Sequence, residues 1–192
     1  MYLKKNNDFA IVSLYTGGYE KKMFLREISR RTSIPLKTTQ NTLKKLMVHN
    51  ILKSSYNGKN KYFELNRENV LTKLYVTHAE MYKTMLFLEK YPEFKMFVKE
   101  ITTNTPIIAF GSFARFKADK NSDADILIVA SEDEERLPSH LLPHKIHQIT
   151  LSEDSFFKSL DETFLKEVED AHVILNNHSF YVNSLWRHYG KK

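Results

Sequence analysis

The stretch IIAFGSFARFKADKNSDADILIVA, Ile107 to Ala130, decides how this chain of 192 residues is read. Two short apolar runs enclose a Gly-Ser pair, an arginine and then two aspartates one residue apart. The first run, TPIIAF, reads as a buried strand that Gly111-Ser112 ends. A helix is expected over SFARFKA, a turn over DKNS and a second strand over DADILIVA. On that strand Asp123 and Asp125 stand at i and i+2, sharing a face about 6–7 Å apart. Two carboxylates so placed repel each other unless a cation lies between them, and their hard oxygens suit Mg²⁺. Gly111 and Ser112 stand where a strand turns into a helix, so their backbone N–H groups offer a phosphate site. A phosphate loop beside an acid pair that holds a metal describes a nucleoside triphosphate.

Working outward, HKIHQITL is the next strand, and Ser152 opens a helix after it. The run DETFLKEVEDAHVILNNHSFYVNSLWRHYG reads as closing helices around a short strand, HVIL, with Phe164, Leu165 and Val168 covering the sheet. On the other side of the motif, ENVLTKLYVTHAEMYKTMLFLEK is a long helix with a break at Pro92. Its stripe of Leu71, Leu74, Tyr75, His78, Met81, Tyr82, Met85 and Leu88 is expected to be core or the seam of a homodimer.

The first 66 residues read as three helices and a hairpin. NDFAIVSLYTGG carries apolar residues at helical spacing and stops at a Gly pair, and MFLREISRRTSI continues with Phe24, Leu25 and Ile28. The third helix starts at Pro35 and is expected to turn Leu36, Leu43, Leu46 and Met47 inward. ILKSSYNGKNKYFEL forms two strand-like runs around Asn57-Gly58, a strong hairpin signal.

Charge divides the chain at the same place. Residues 1–66 hold 13 Lys/Arg against 4 Asp/Glu, a net of +9, and the remainder holds 16 against 19, a net of −3. A basic module joined to a mildly acidic one suggests nucleic-acid binding by the first. No window approaches a membrane-spanning length of apolar residues, and MYLKKNNDFA lacks the apolar core of a signal peptide. The absence of cysteine excludes a disulfide framework and a cysteine-ligated zinc site. A cytoplasmic protein with no membrane partner is expected.

Two resemblances sharpen this reading to an α+β fold in three parts. Residues 6–66 resemble a winged helix-turn-helix, which implies double-stranded DNA as partner and bounds a domain at 1–66. In such a domain the helix from Pro35 would enter the major groove, with Lys37, Thr38 and Asn41 toward base edges. Arg30, Arg31, Lys44 and Lys45 would meet phosphates, and Lys59 and Lys61 at the wing tip would reach the adjacent backbone. Residues 67–94 make a helical connector. The rest, 95–192, holds a small mixed sheet with flanking helices and resembles the minimal nucleotidyltransferase domain of the DNA polymerase beta superfamily. The residues that carry this likeness are Phe110-Gly111-Ser112, Ala114-Arg115 and Ser122-Asp123-Ala124-Asp125-Ile126.

That resemblance implies that Gly111, Ser112 and Arg115 contact the triphosphate of an NTP such as ATP, and that Asp123 and Asp125 are catalytic and hold Mg²⁺. Two departures stand out. Phe116 occupies a position where the family places glycine, which is expected to reshape the loop. The family's third carboxylate falls at His147, for no acid occurs between Lys145 and Leu151. His147 is therefore the third catalytic candidate, and His144 with His147 would also suit a softer metal such as Mn²⁺. Three readings stay open. One is a DNA-tethered enzyme that modifies a small molecule or a protein, a partner toxin included. The others are a regulator with a degenerate site and a scaffold.

Overall fold

The computed structural model describes residues 6–130 and 137–190; the opening MYLKK lies outside them. The fold is α+β, and the described residues form a three-stranded and a four-stranded sheet. Two compact units divide the described chain. One runs to Tyr82 and takes in Tyr189 and Gly190, and the other spans Lys83–His188.

The first unit begins with α1, Asn7–Val12, whose N-terminus is capped by Asn6: its side-chain oxygen accepts from the N–H groups of Asp8 (3.0 Å) and Phe9 (3.2 Å). A 3-10 turn follows over Ser13–Tyr15. Met23–Phe24 then form β1, ahead of α2, Leu25–Thr32. The sequence reading had placed these two residues in the helix, but β1 pairs with a strand some forty residues on, a partner that local periodicity does not register.

Helix α3, Leu36–Val48, follows a tight turn through Ser33, which adopts a left-handed φ of 54°. Its inward face differs from expectation. Leu36 is exposed and Met47 only half-buried, while Thr39, Thr42, Leu43 and Leu46 are buried. The threonines can go inside because their hydroxyls bond to the helix's own carbonyls or to the turn before it: Thr39 donates to Ile34 O (3.1 Å) and Thr42 to Thr38 O (3.0 Å).

Strands β2, Leu52–Asn57, and β3, Asn60–Leu65, form the hairpin and complete the sheet in the order β1-β3-β2. Asn57 pairs with Asn60, so the two central turn residues are Gly58 and Lys59, one position later than the Asn-Gly signal suggested. Gly58 supplies the positive φ (58°) that such a turn demands.

A 21-residue helix, α4, Val70–Lys90, passes from the first unit into the second. It buries Thr72, Val76, Ala79 and Phe87, while Leu71, Leu74, Met81 and Met85 face water. Of the stripe expected as core or seam, Tyr82 is buried and Leu88 packs against the core, Tyr75 is half-buried, and the other members are exposed.

After α5, Phe94–Lys99, the second unit builds its sheet. The sheet consists of β4 (Ile107–Phe110), β5 (Ala124–Val129), β6 (Ile146–Leu151) and β7 (Val173–Asn176) in the order β6-β5-β4-β7. It is mixed: β5 runs parallel to β6, and β4 antiparallel to β5 and β7. Ala109, Ile126, Ile128 and Val173 share a core with Phe87, Phe94, Phe97 and Phe113. Ile108, Leu127, Val129 and Ile174 are buried as well. The interior strands β4 and β5, with β7, are thus apolar on both faces, while β6 carries the exposed His147 and Gln148. The short helical turn α6, Gly111–Ala114, leaves β4, and α7 (Glu153–Lys158), α8 (Thr163–Asp170) and α9 (His178–Gly190) close the unit. Leu165 and Val168 of α8 are buried, as expected of residues covering a sheet. No helix among the described residues is long and apolar enough to cross a membrane.

Candidate active site

Sheet register brings the motif together. Phe110, the last residue of β4, pairs with Asp125 on β5, and Asp125 in turn pairs with His147 on β6. Three neighbouring strands therefore deliver the Gly-Ser turn, the second aspartate and the histidine to one edge. Asp123 stands just before β5 rather than within it, and it is exposed.

Gly111 explains why this turn needs glycine. Its φ is +65°, and a Cβ added there would lie 2.1 Å from Oδ2 of Asp125. The carboxylate occupies the space that any other residue's side chain would claim, so turn and acid are fitted to each other. The other oxygen, Oδ1, lies 3.3 Å from Nδ1 of His147. The Asp125 side chain is 27% exposed and that of His147 is 65% exposed, so the pair opens to solvent. With Nδ1–H donating to the carboxylate, Nε2 is left as the acceptor nitrogen.

Ser112 is half-buried on the first turn after Gly111, and Arg115 is exposed at the C-terminal end of α6. Phe116, where a reshaped loop was expected, adopts a left-handed φ of 57° at a cost of about 1 kcal/mol. Its ring packs against Phe87 (6.3 Å) and Tyr91 (6.4 Å), and its carbonyl accepts from Lys90 Nζ, contacts that offset the cost.

His144 is not placed to share a metal with His147. Its side chain is 7% exposed, with Nδ1 3.1 Å from the Ser122 carbonyl and Nε2 3.3 Å from Glu93 Oε1. Both partners are acceptors, so both ring nitrogens are engaged within the chain. His144 thereby ties down the residue that precedes Asp123. Neither Glu93 nor Lys90 could be found by motif reading, because both lie outside the motif and reach it only through the fold.

Among the described residues no three of His, Asp and Glu converge as a ready metal cage. The donor set still fits Mg²⁺, which is commonly held by one or two carboxylates and completed by water and substrate phosphates.

In the first unit, Lys44 of α3 and Lys59 and Lys61 of the hairpin line one groove of about 570 Å³ together with Arg26, Gln40, Phe24 and Phe63. Arg26 is a cation the sequence reading missed. Two of the expected phosphate contacts are occupied within the chain: Arg31 pairs with Glu27 at 2.8 Å and Lys45 with Asp8 at 2.6 Å. The hydrogen bond and charge of Asp8 raise the Lys45 pKa. Among the described residues, Arg30, Lys37, Lys44 and Lys59 make no ion pair, and Asn41 is exposed with Thr38 half-buried beside it.

A mixed four-stranded sheet carries the Gly-Ser turn and the Asp-x-Asp pair at one end. The family described as nucleotidyltransferase domain matches residues 92–189, half of the chain, and this protein belongs to that family. The family's chemistry is nucleotidyl transfer, which requires a bound nucleotide. No curated protein and no solved structure matches the chain.

Proposed function

We propose that the second unit transfers a nucleoside monophosphate from an NTP, ATP in the first instance, to a hydroxyl group on a protein or small molecule. The observation that carries this reading is the contact of Asp125 with His147 beneath Gly111. The N–H groups at Gly111 and Ser112 face the triphosphate, and Arg115 adds a cation to it. Asp123 and Asp125 hold Mg²⁺, or Mn²⁺, which when bound neutralises charge building on the phosphates. His147 is the base, oriented by Asp125, and its Nε2 takes the acceptor hydroxyl's proton. The hydroxyl oxygen bonds to the α-phosphorus, the α–β bridging bond breaks, and pyrophosphate leaves with the electron pair.

The first unit, on this proposal, is a winged helix-turn-helix that holds the protein on double-stranded DNA. The two-helix turn ahead of α3, the three-stranded sheet and the cationic groove between α3 and the hairpin support it. A protein acceptor such as a partner toxin follows from the family resemblance and fits an exposed base.

A second reading is favoured by a histidine standing where a third acid is expected: a DNA-binding regulator or scaffold whose site binds nucleotide without transfer. One substitution separates the two. His147→Asp is expected to abolish label transfer from α-labelled ATP in an enzyme that uses His147 as base, since an ordinary aspartate is the weaker base at neutral pH. In a decayed site the same change restores a third carboxylate and raises metal affinity and transfer. Equal binding of Mg²⁺-ATP by the native chain and by the Asp123→Asn/Asp125→Asn variant would refute the metal assignment under both.

A further inference from the structure

Helix α4 carries an apolar strip that the described residues leave uncovered. Val70, Leu71, Leu74, Met81 and Met85 are 75, 47, 53, 42 and 42% exposed, and His78 between them is exposed too. Positions 71, 74, 78, 81 and 85 advance in alternating steps of three and four, and Leu88 continues the series. That 3.5-residue repeat is the one by which a helix runs along a second helix. Nearly half of the exposed large apolar side chains in the described chain gather on this strip. Phe9 of α1 flanks it, stacking on His78 at 5.7 Å.

We infer that the occupant is a second copy of this chain, α4 against α4. A two-fold interface needs one patch that is complementary to itself. None of the strip positions carries a carboxylate, a lysine or an arginine; Lys73, Glu80 and Lys83 fall elsewhere on the helix, and exposed Glu89 and Lys90, of opposite sign, lie at its last turn. Two such strips meet without opposing like charges, and a polyanion finds nothing there to pair with. The exposed side chains offer on the order of 500 Å² per copy, so a pair removes about 1,000 Å², the lower bound of a specific interface. The dimer is accordingly reversible, forming in the micromolar range. This inference is independent of the proposals about DNA and transfer.

The chain has no cysteine, so a single introduced thiol can cross-link only to another copy. Full-length Leu74→Cys, His78→Cys and Met81→Cys are mildly oxidised beside Lys73→Cys as a control off the strip. Covalent dimer is expected at strip positions and not at Lys73. Cross-linking at all three marks parallel helices, cross-linking at His78 alone marks antiparallel ones, and either supports the inference. Ultracentrifugation of the native chain is expected to show mass rising from monomer to dimer with concentration. Leu74→Glu/Met81→Glu is expected to remain monomeric and, at concentrations below the dimer range, to melt as the native chain does, because both side chains already face water. A native chain that stays monomeric at tens of micromolar, a dimer that survives the double substitution, or cross-linking as fast at Lys73 would overturn it.

Discussion

Replacing Gly111 by alanine tests how tightly the turn and the acid are fitted. The φ of +65° costs an L-residue about 1–2 kcal/mol whatever surrounds it. The second cost is steric. A Cβ 2.1 Å from Asp125 Oδ2 is about 1 Å inside ordinary contact, so the carboxylate must swing away and surrender its 3.3 Å contact with His147. That contact is solvent-exposed, so its loss adds no more than about 1 kcal/mol. Gly111→Ala is thus expected to cost about 2–3 kcal/mol. In an Asp125→Ala background the steric part vanishes, because Asp125 Cβ lies at an ordinary 3.4 Å, and only the backbone cost remains. Urea denaturation of the native chain, both single variants and the double variant would measure a coupling of about 1 kcal/mol. Additivity within about 0.3 kcal/mol would mean that the carboxylate does not rest under Gly111, and the site geometry would have to be abandoned.

Burial raises the pKa of the Tyr15 phenol, with the carboxylates of Glu27 and Glu64 pushing the same way. The unfolded chain releases this proton near pH 10 while the folded chain keeps it, so the contribution is full below that pH and is lost as pH rises beyond it. Tyr15→Phe should lose about 1 kcal/mol at neutral pH, for want of the 3.0 Å bond to the Phe63 carbonyl, yet flatten the alkaline fall in melting temperature. An alkaline limb unchanged by the substitution would contradict this. In DNA titrations of the full chain across salt concentrations, Lys44→Ala is expected to reduce the slope of log affinity against log salt by roughly 0.9. Lys45→Ala should reduce it less, because Asp8 already neutralises that charge; equal losses would show that the ion pair opens on the duplex.

The sequence alone was enough to locate the motif and to find the strands along the chain on either side of it. Gly-Ser after one apolar run and Asp-x-Asp before the next are local patterns, and local patterns follow from strand and turn stereochemistry. The same holds for α3 and for the hairpin, whose turn moved by one residue only. The pairing of β1 with β3, the burial of Thr39 in place of Leu36, and the occupation of Lys45 by Asp8 depended on residues far apart in the chain, which no window of neighbours contains. The site divides in the same way. The family pattern, with an acid missing, singled out His147, but the parallel register of β5 and β6 brought it to Asp125. The left-handed backbone at Phe116 is held because Phe87, Tyr91 and Lys90 surround it, and His144 was claimed by Glu93 and Ser122. Even the apolar stripe of α4 was legible as a stripe; which way it faces was decided by what the other side of the helix buries. Periodicity specifies that a face is apolar, and only packing specifies what covers it.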